Sequence, residues 1–299
     1  MKSNKTKAVM YITCSAFFFT LMNIFVRLSG DLPSVQKSFF RNFVAAIVAS
    51  AIVLKEKKDI HIKKQNLPFL FLRASFGTVG LLCNFYAVDH LLLSNATMLN
   101  KMSPFFVLIF SYFVLKEKLK PIQIGAVALA FIGSLFVIKP TFENVELASS
   151  LIGLLGGICA GAAYTMVRLL NLRGEKGSVI VLFFSLFSCI VLLPFVIIKG
   201  EPMTLKQIIY LLLTGLCAAI AQFAITAAYK NAPGREVSVY DYSQVIFAAI
   251  FGYIIFNDVP DKFSFLGYFL IILAAVIIFI YTNYAHKKSI TDNNVQIKE

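Results

Sequence analysis

The chain has 299 residues, of which 59% are apolar and 14% charged. Soluble domains average about 45–50% apolar and about 25% charged residues, so an ordinary soluble protein is excluded. The strongly polar stretches, 1–7, 55–66 and 286–299, are each too short to fold alone, which also excludes a soluble enzyme on a membrane anchor. A formal charge of +13 sits in short clusters between apolar runs, the pattern of basic loops on a multi-pass membrane protein. Nucleic-acid binding is not implied.

A span needs about 17–25 mostly apolar residues. Ten such runs follow one another at 8–29, 35–54, 67–89, 93–115, 121–138, 150–170, 177–198, 205–229, 236–256 and 262–284. Lone strands cannot cross lipid with unpaired backbone groups, and the alternation of a β-barrel is missing, so the runs are predicted to be helices. Lys2, Lys5 and Lys7 precede the first run, which is longer than a signal core and lacks a small-residue cleavage site. That run is expected to stay as a helix.

In chain order, several spans carry one polar stripe at helical spacing. The first aligns Thr13, Thr20, Asn23 and Arg27, and the second carries Arg41. The third aligns Arg73, Gly77, Gly80 and Asn84, and the fourth Ser94, Thr97, Asn100, Lys101, Pro104 and Ser111. In the sixth, Gly153, Gly157 and Gly161 form a small-residue ridge leading to Tyr164 and Arg168. The eighth brings Gln222, Thr226 and Tyr229 together; the ninth aligns Ser238, Asp241, Gln244 and Gly252, beside Tyr240 and Tyr242. Pro104 and Pro194 fall within spans as candidate hinges. Single polar residues of this kind also glue helices together, but five spans with one stripe each predict a wet path through the middle. The five cysteines, Cys14, Cys83, Cys159, Cys189 and Cys217, lie in apolar segments and read as small buried hydrophobes.

Of the 28 Lys and Arg residues, 19 lie on the side of the N-terminus and six on the other, which predicts that both termini are cytoplasmic. The two halves echo each other at an offset near 140. Residues 17–30 parallel 158–171, setting Arg27 against Arg168, and 100–125 parallel 240–267, setting Ser103 against Ser243. The expected units are 1–140 and 141–285, followed by a polar cytoplasmic tail at 286–299. Five helices per unit force the second to enter the membrane upside down, the architecture of secondary transporters.

The stretches FFRNF (39–43), FYAVDHLLLSNATMLNKMSPFF (85–106), LKEKLKPIQIG (115–125) and NDVPDKFSFLG (257–267) together resemble the EamA type of the drug/metabolite transporter superfamily. Asp258 stands where that family usually has Glu. The resemblance implies an all-α membrane protein of ten transmembrane helices in two inverted five-helix repeats. Spans one to four and six to nine would line a central cavity, with five and ten peripheral.

A charge at the membrane centre costs on the order of 2.5–3.5 kcal/mol, so each one needs a reason. Arg41, Arg73, Lys101 and Asp241 are the four, and Lys101 and Asp241 stand one repeat apart. Equivalent residues near a pseudo-two-fold axis can face each other, so a Lys101–Asp241 pair at the cavity floor is one expectation; a snorkelling Lys101 is the other. The candidate substrate-binding set is Asn23, Arg41, Arg73, Asn84, Asn100, Lys101, Tyr164, Gln222, Tyr229, Tyr240, Asp241 and Gln244. The positive balance predicts an amino acid or a derivative of one, a zwitterion or anion carried by alternating access. Uptake of S-adenosylmethionine or a nucleoside-like metabolite, efflux of drug-like cations, and a channel are the alternatives. No cofactor or catalytic constellation is implied: His61, His90 and His286 sit in loops or the tail without a recognisable motif. The partners expected are a small-molecule substrate and the bilayer, in a monomer or homodimer of a bacterial cytoplasmic (inner) membrane. Proton coupling, exchange and facilitated diffusion all stay open at this stage.

Overall fold

The computed structural model describes residues 5–55, 63–116, 119–139, 146–231 and 238–296, which form helices and their connections. In chain order these are α1 (Lys5–Leu28), α2 (Ser34–Lys55), α3 (Leu67–His90), α4 (Leu93–Asn100), α5 (Ser103–Val114), α6 (Pro121–Ile138), α7 (Leu147–Leu172), α8 (Gly177–Lys199), α9 (Leu205–Asn231), α10 (Ser243–Phe256) and α11 (Lys262–Gln296). Nine described segments, one of them α4 and α5 together, are long and apolar enough to cross a membrane, and Tyr240–Phe256 is a shorter tenth. The polarity is inside out for a soluble protein. Ile197 and Ile198 are 74% and 77% exposed, whereas Arg41, Asn42, Arg73 and Asn84 are buried. An apolar rim around a polar interior is stable only with hydrocarbon outside.

The helices pair in a reciprocal pattern. α1 packs along α9 as α7 packs along α3, while α2 lies on α8, α4 on α10 and α6 on α11. Exchanging α1 with α7 and α3 with α9 leaves that set of neighbours unchanged. The apolar core lies where α3, α4 and α5 meet α1 and α10, with Phe85, Leu93, Met98, Leu99 and Phe105 buried against Met22, Val26 and Val245.

Two spans expected as single helices are broken instead. The run 93–115 ends as α4 at Asn100, turns tightly at Lys101 and Met102 (Met102 N–H to Leu99 O, 3.2 Å), and restarts as α5. Three neighbours set this break. A Cβ on Gly157 of α7 would meet the Leu99 carbonyl oxygen at 2.5 Å, so only glycine lets α7 approach the end of α4 so closely. Tyr242 Oη donates to Lys101 O at 3.1 Å, taking a carbonyl the helix would otherwise leave unpaired. Pro104 falls in the first turn of α5, where its missing N–H has no partner to lose. In the run 236–256, Ser238–Tyr242 form a 3₁₀ turn before α10 begins. The two breaks therefore carry Lys101 and Asp241 respectively. At the far end of that run, Asn257 adopts the left-handed conformation (φ 56°) and Asp258 N–H reaches back to Gly252 O at 3.1 Å, closing α10. Two boundaries also differ: α7 begins at Leu147, and α11 continues to Gln296 through most of the expected tail.

Candidate functional site: a polar chamber at two helix breaks

The breaks bring their charges together. Lys101 Nζ donates to Asp241 Oδ2 in a direct, partly buried ion pair, the geometry expected from the repeat offset. The pair borders a chamber of about 130 Å³ lined by Asn23 of α1, Arg41 of α2, Arg73, Gly77 and Asn84 of α3, Asn100, Tyr164 of α7, Phe184 of α8, Gln222 of α9 and Gln244 of α10. Arg41, Arg73, Tyr164, Phe184 and Gln222 also line a wider vestibule of about 670 Å³ that continues past Asn171, Lys176 and Ser178. The vestibule therefore leads toward the ends where α2 and α7 finish and α8 begins.

Ten of the twelve candidate residues share this chamber, so its chemistry can be taken from their side chains together. Arg41 and Arg73 are 8% and 7% exposed and stack over one ring, with their Cζ atoms 5.8 and 4.2 Å from the Phe184 centroid. Arg41 Nη1 donates to Asn42 Oδ1 at 2.7 Å, whereas Arg41 Nε and Arg73 Nε have no hydrogen-bond partner. On the α1 and 3₁₀-turn side, the acceptors Asn23 Oδ1 and Asp241 Oδ1 are unpartnered as well. Donors thus come from α2 and α3, and acceptors from α1 and the 3₁₀ turn. Tyr164 is 44% exposed and lines both compartments.

Two candidates stand apart. Tyr240 lies edge-on to Phe279 of α11, at 6.4 Å between centroids, and does not line the chamber. Successive side chains of a 3₁₀ turn point about 120° apart, so a turn that aims Asp241 inward turns Tyr240 away. The side chain of Tyr229 lies outside the described residues, as do those of Thr226 and Ser238. Two further expectations are corrected, those for Pro104 and Ser94. Pro104 is exposed and does not share the polar stripe of Ser94 and Asn100. Pro194 lies inside helix α8, within the span where it was expected. Ser94, buried, places its hydroxyl 2.9 Å from Tyr268 Oη of α11, whose own proton goes to Asn95 Oδ1. Spans four and ten are glued there.

The opposite end of the bundle is cross-tied by charges at the ends of spans. Lys37, fully buried in α2, donates to Asp89 Oδ1 of α3 at 2.7 Å. Arg27 Nη1 donates to Asp258 Oδ2 at 2.5 Å, and the same oxygen accepts the Leu93 N–H at 2.9 Å, so Asp258 joins the end of α1 to the start of α4. Gln36 and the Glu201 backbone exchange two hydrogen bonds of 3.0 Å. At the rim, Lys139 and Asp261 pair at 2.8 Å with both side chains substantially exposed. Slight burial pushes the Asp261 carboxyl up, but hydrogen bonds from Lys139 and Ser264 outweigh it and bring it down to about 2. Sequence separations of 52 for Lys37–Asp89 and 231 for Arg27–Asp258 hid these ties. Among the described residues there is no cluster of metal-ligating side chains.

A polar chamber set at two helix breaks inside an apolar bundle, reached from one end and cross-tied at the other, is the build of a multi-pass membrane transporter. A sequence profile of the EamA-like transporter family matches residues 6–139 and again 147–280. The chain belongs to that family. It is 28% identical over 274 residues to a pseudopaline exporter, CntI, of Pseudomonas aeruginosa, covering 90% of this chain and 94% of that one. It is 28% identical over 265 residues to the human solute carrier family 35 member G1 (84% and 72% covered). To an S-adenosylmethionine uptake transporter of Rickettsia bellii it is 25% identical over 268 residues, 88% of each chain. A solved crystal structure matches the fold with a TM-score of 0.66 at 12% identity, covering 94% of this chain and 99% of the other.

Proposed function

We propose that the protein is a secondary transporter that moves a small zwitterionic or anionic metabolite, an amino acid or a derivative, by alternating access. One observation carries this reading. The chamber opposes unpartnered donors on Arg41 and Arg73 to unpartnered acceptors on Asn23 and Asp241, the arrangement that suits a ligand with separate negative and positive groups. In this reading Lys101 and Asp241 bind the two halves together beneath the ligand, while Asn84, Asn100, Gln222, Gln244 and Tyr164 orient its polar atoms. Residues 1–140 and 141–285 act as the inverted units, and both termini face the cytoplasm of a bacterial inner membrane. The conformation is then inward-facing, and opening outward requires the Arg27–Asp258 and Lys37–Asp89 ties to part. Because one chain surrounds the chamber, the monomer is the working unit, and it carries out no chemistry on its cargo.

A second reading has its own support. Tyr164 offers an exposed ring in both compartments, and one relative is named for S-adenosylmethionine uptake, so an adenine-bearing zwitterion fits the same donors.

Reconstitution into liposomes tests both readings. Counterflow of radiolabelled amino acids and of S-adenosylmethionine is measured for wild type, Lys101→Ala and Asp241→Ala. Uptake of a carboxylate-bearing zwitterion by wild type and by neither variant supports the proposal. Uptake of lipophilic cations alone, or voltage-driven ion currents without counterflow, overturns it.

A further inference from the structure

We infer that the transported molecule carries two anionic groups, one for each of Arg41 and Arg73, in addition to its ammonium. This inference rests on reading the chamber as the substrate site. The ion pairs formed among the described residues involve Arg27, Lys37, Lys101 and Lys139, and none reaches Arg41 or Arg73. Both guanidiniums are more than nine-tenths buried, and each keeps an unpartnered Nε. Lys101 and Asp241 cancel each other, which leaves the chamber two positive charges in excess. A single carboxylate would balance one guanidinium and leave the other buried and uncompensated, which is costly in a low-dielectric interior.

The geometry separates the two sites. Arg41 comes from α2 and Arg73 from α3, both guanidiniums lie within 6 Å of the Phe184 ring centroid, and each keeps its Nε free for a ligand. Gly77 makes this possible. A Cβ there would collide with Arg73 Nη1 and stand 2.8 Å from the Phe184 ring, so the missing side chain is what lets the Arg73 fork fold back over its own helix. The ligand class is an amino acid bearing a second acid group, a carboxylate or a phosphate. Its ammonium goes to Asp241 Oδ1 and Asn23 Oδ1.

The test uses matched ligands differing by that one charge. Affinities of the detergent-purified full-length protein are measured for L-glutamate against L-glutamine, L-aspartate against L-asparagine, and O-phospho-L-serine against L-serine. The acid of at least one pair is expected to bind about tenfold or more tightly than its neutral mate, the worth of one buried charge-assisted hydrogen bond. The pair that responds tells carboxylate from phosphate. Arg41→Met and Arg73→Met should each bring acid and neutral mate to parity. Gly77→Ala should do the same without removing a charge, and Arg73→Lys, which keeps the charge but loses the fork, guards against a misfolded variant. Equal affinities within every pair, or no binding by any acid, overturns the inference. If neutral amino acids still show counterflow, the inference falls alone; if no zwitterion binds or moves, the proposed function falls with it.

Discussion

Buried cations occupy two regions of this bundle, and the two treat them oppositely. At the cross-tied end, buried Lys37 and partly buried Arg27 each meet a carboxylate within 2.7 Å and so tie one helix to another. In the chamber, Arg41 and Arg73 meet an aromatic ring and an asparagine, with no acid beside them. Burial desolvates cations in both regions, but only in the first does a carboxylate of the protein offset the cost. A charge satisfied internally is part of the scaffold. One left unsatisfied in a cavity is held for something that arrives.

That contrast predicts opposite responses to the same kind of substitution. Lys37→Met strands the Asp89 carboxylate and should lower stability by about 3–5 kcal/mol, seen as a large fall in melting temperature in detergent. Arg73→Met removes a cation that no carboxylate of the described residues pairs with. Its melting temperature should hold or rise while counterflow drops about tenfold to a hundredfold, the worth of roughly 1.5–3 kcal/mol of charge-assisted bonding. A variant that loses stability as Lys37→Met does would erase the distinction. The Lys101–Asp241 pair lies between the two regions in character. Lys101→Met and Asp241→Asn should each harm stability more than the double variant does, with a coupling of about 1–3 kcal/mol from a thermal double-mutant cycle. Strict additivity would mean that the pair holds nothing together.

The smallest effect belongs to the exposed rim. Asp261 is held at about 2, below its ordinary 3.8, so its tie to Lys139 adds stability that is present above that ordinary value and fades as pH falls toward 2. With 44% of the Asp261 side chain in solvent, screening keeps the contribution small. Asp261→Asn should change stability by no more than about 0.5 kcal/mol at neutral pH, and less at high salt. A shift as large as that of Lys37→Met would show that the rim carries load after all.

Much of the bundle was legible in the residues because hydrocarbon imposes a simple rule on spans. Nine of the ten apolar runs became described segments long and apolar enough to cross a membrane, the tenth a shorter helix, and an offset of 140 placed Lys101 opposite Asp241. The breaks at those two residues were not legible. Pro104 marked a candidate hinge nearby, but the break at Lys101 itself is set with Gly157 and Tyr242, which are distant in sequence. Lys37 and Asp89 stood at the ends of their spans and so looked like loop residues, although the fold buries them together. Tyr240 shows the reverse failure. It sits next to Asp241 in the chain, but the 3₁₀ turn sends it to α11.

The unlike charges at the two breaks also speak to how such a chain can come about. The family profile matches each half, and the two breaks, 140 residues apart, carry lysine in one half and aspartate in the other. Two copies of the first half would bring lysine to face lysine, and two of the second aspartate to face aspartate. Only the mixed assembly closes its centre without repulsion.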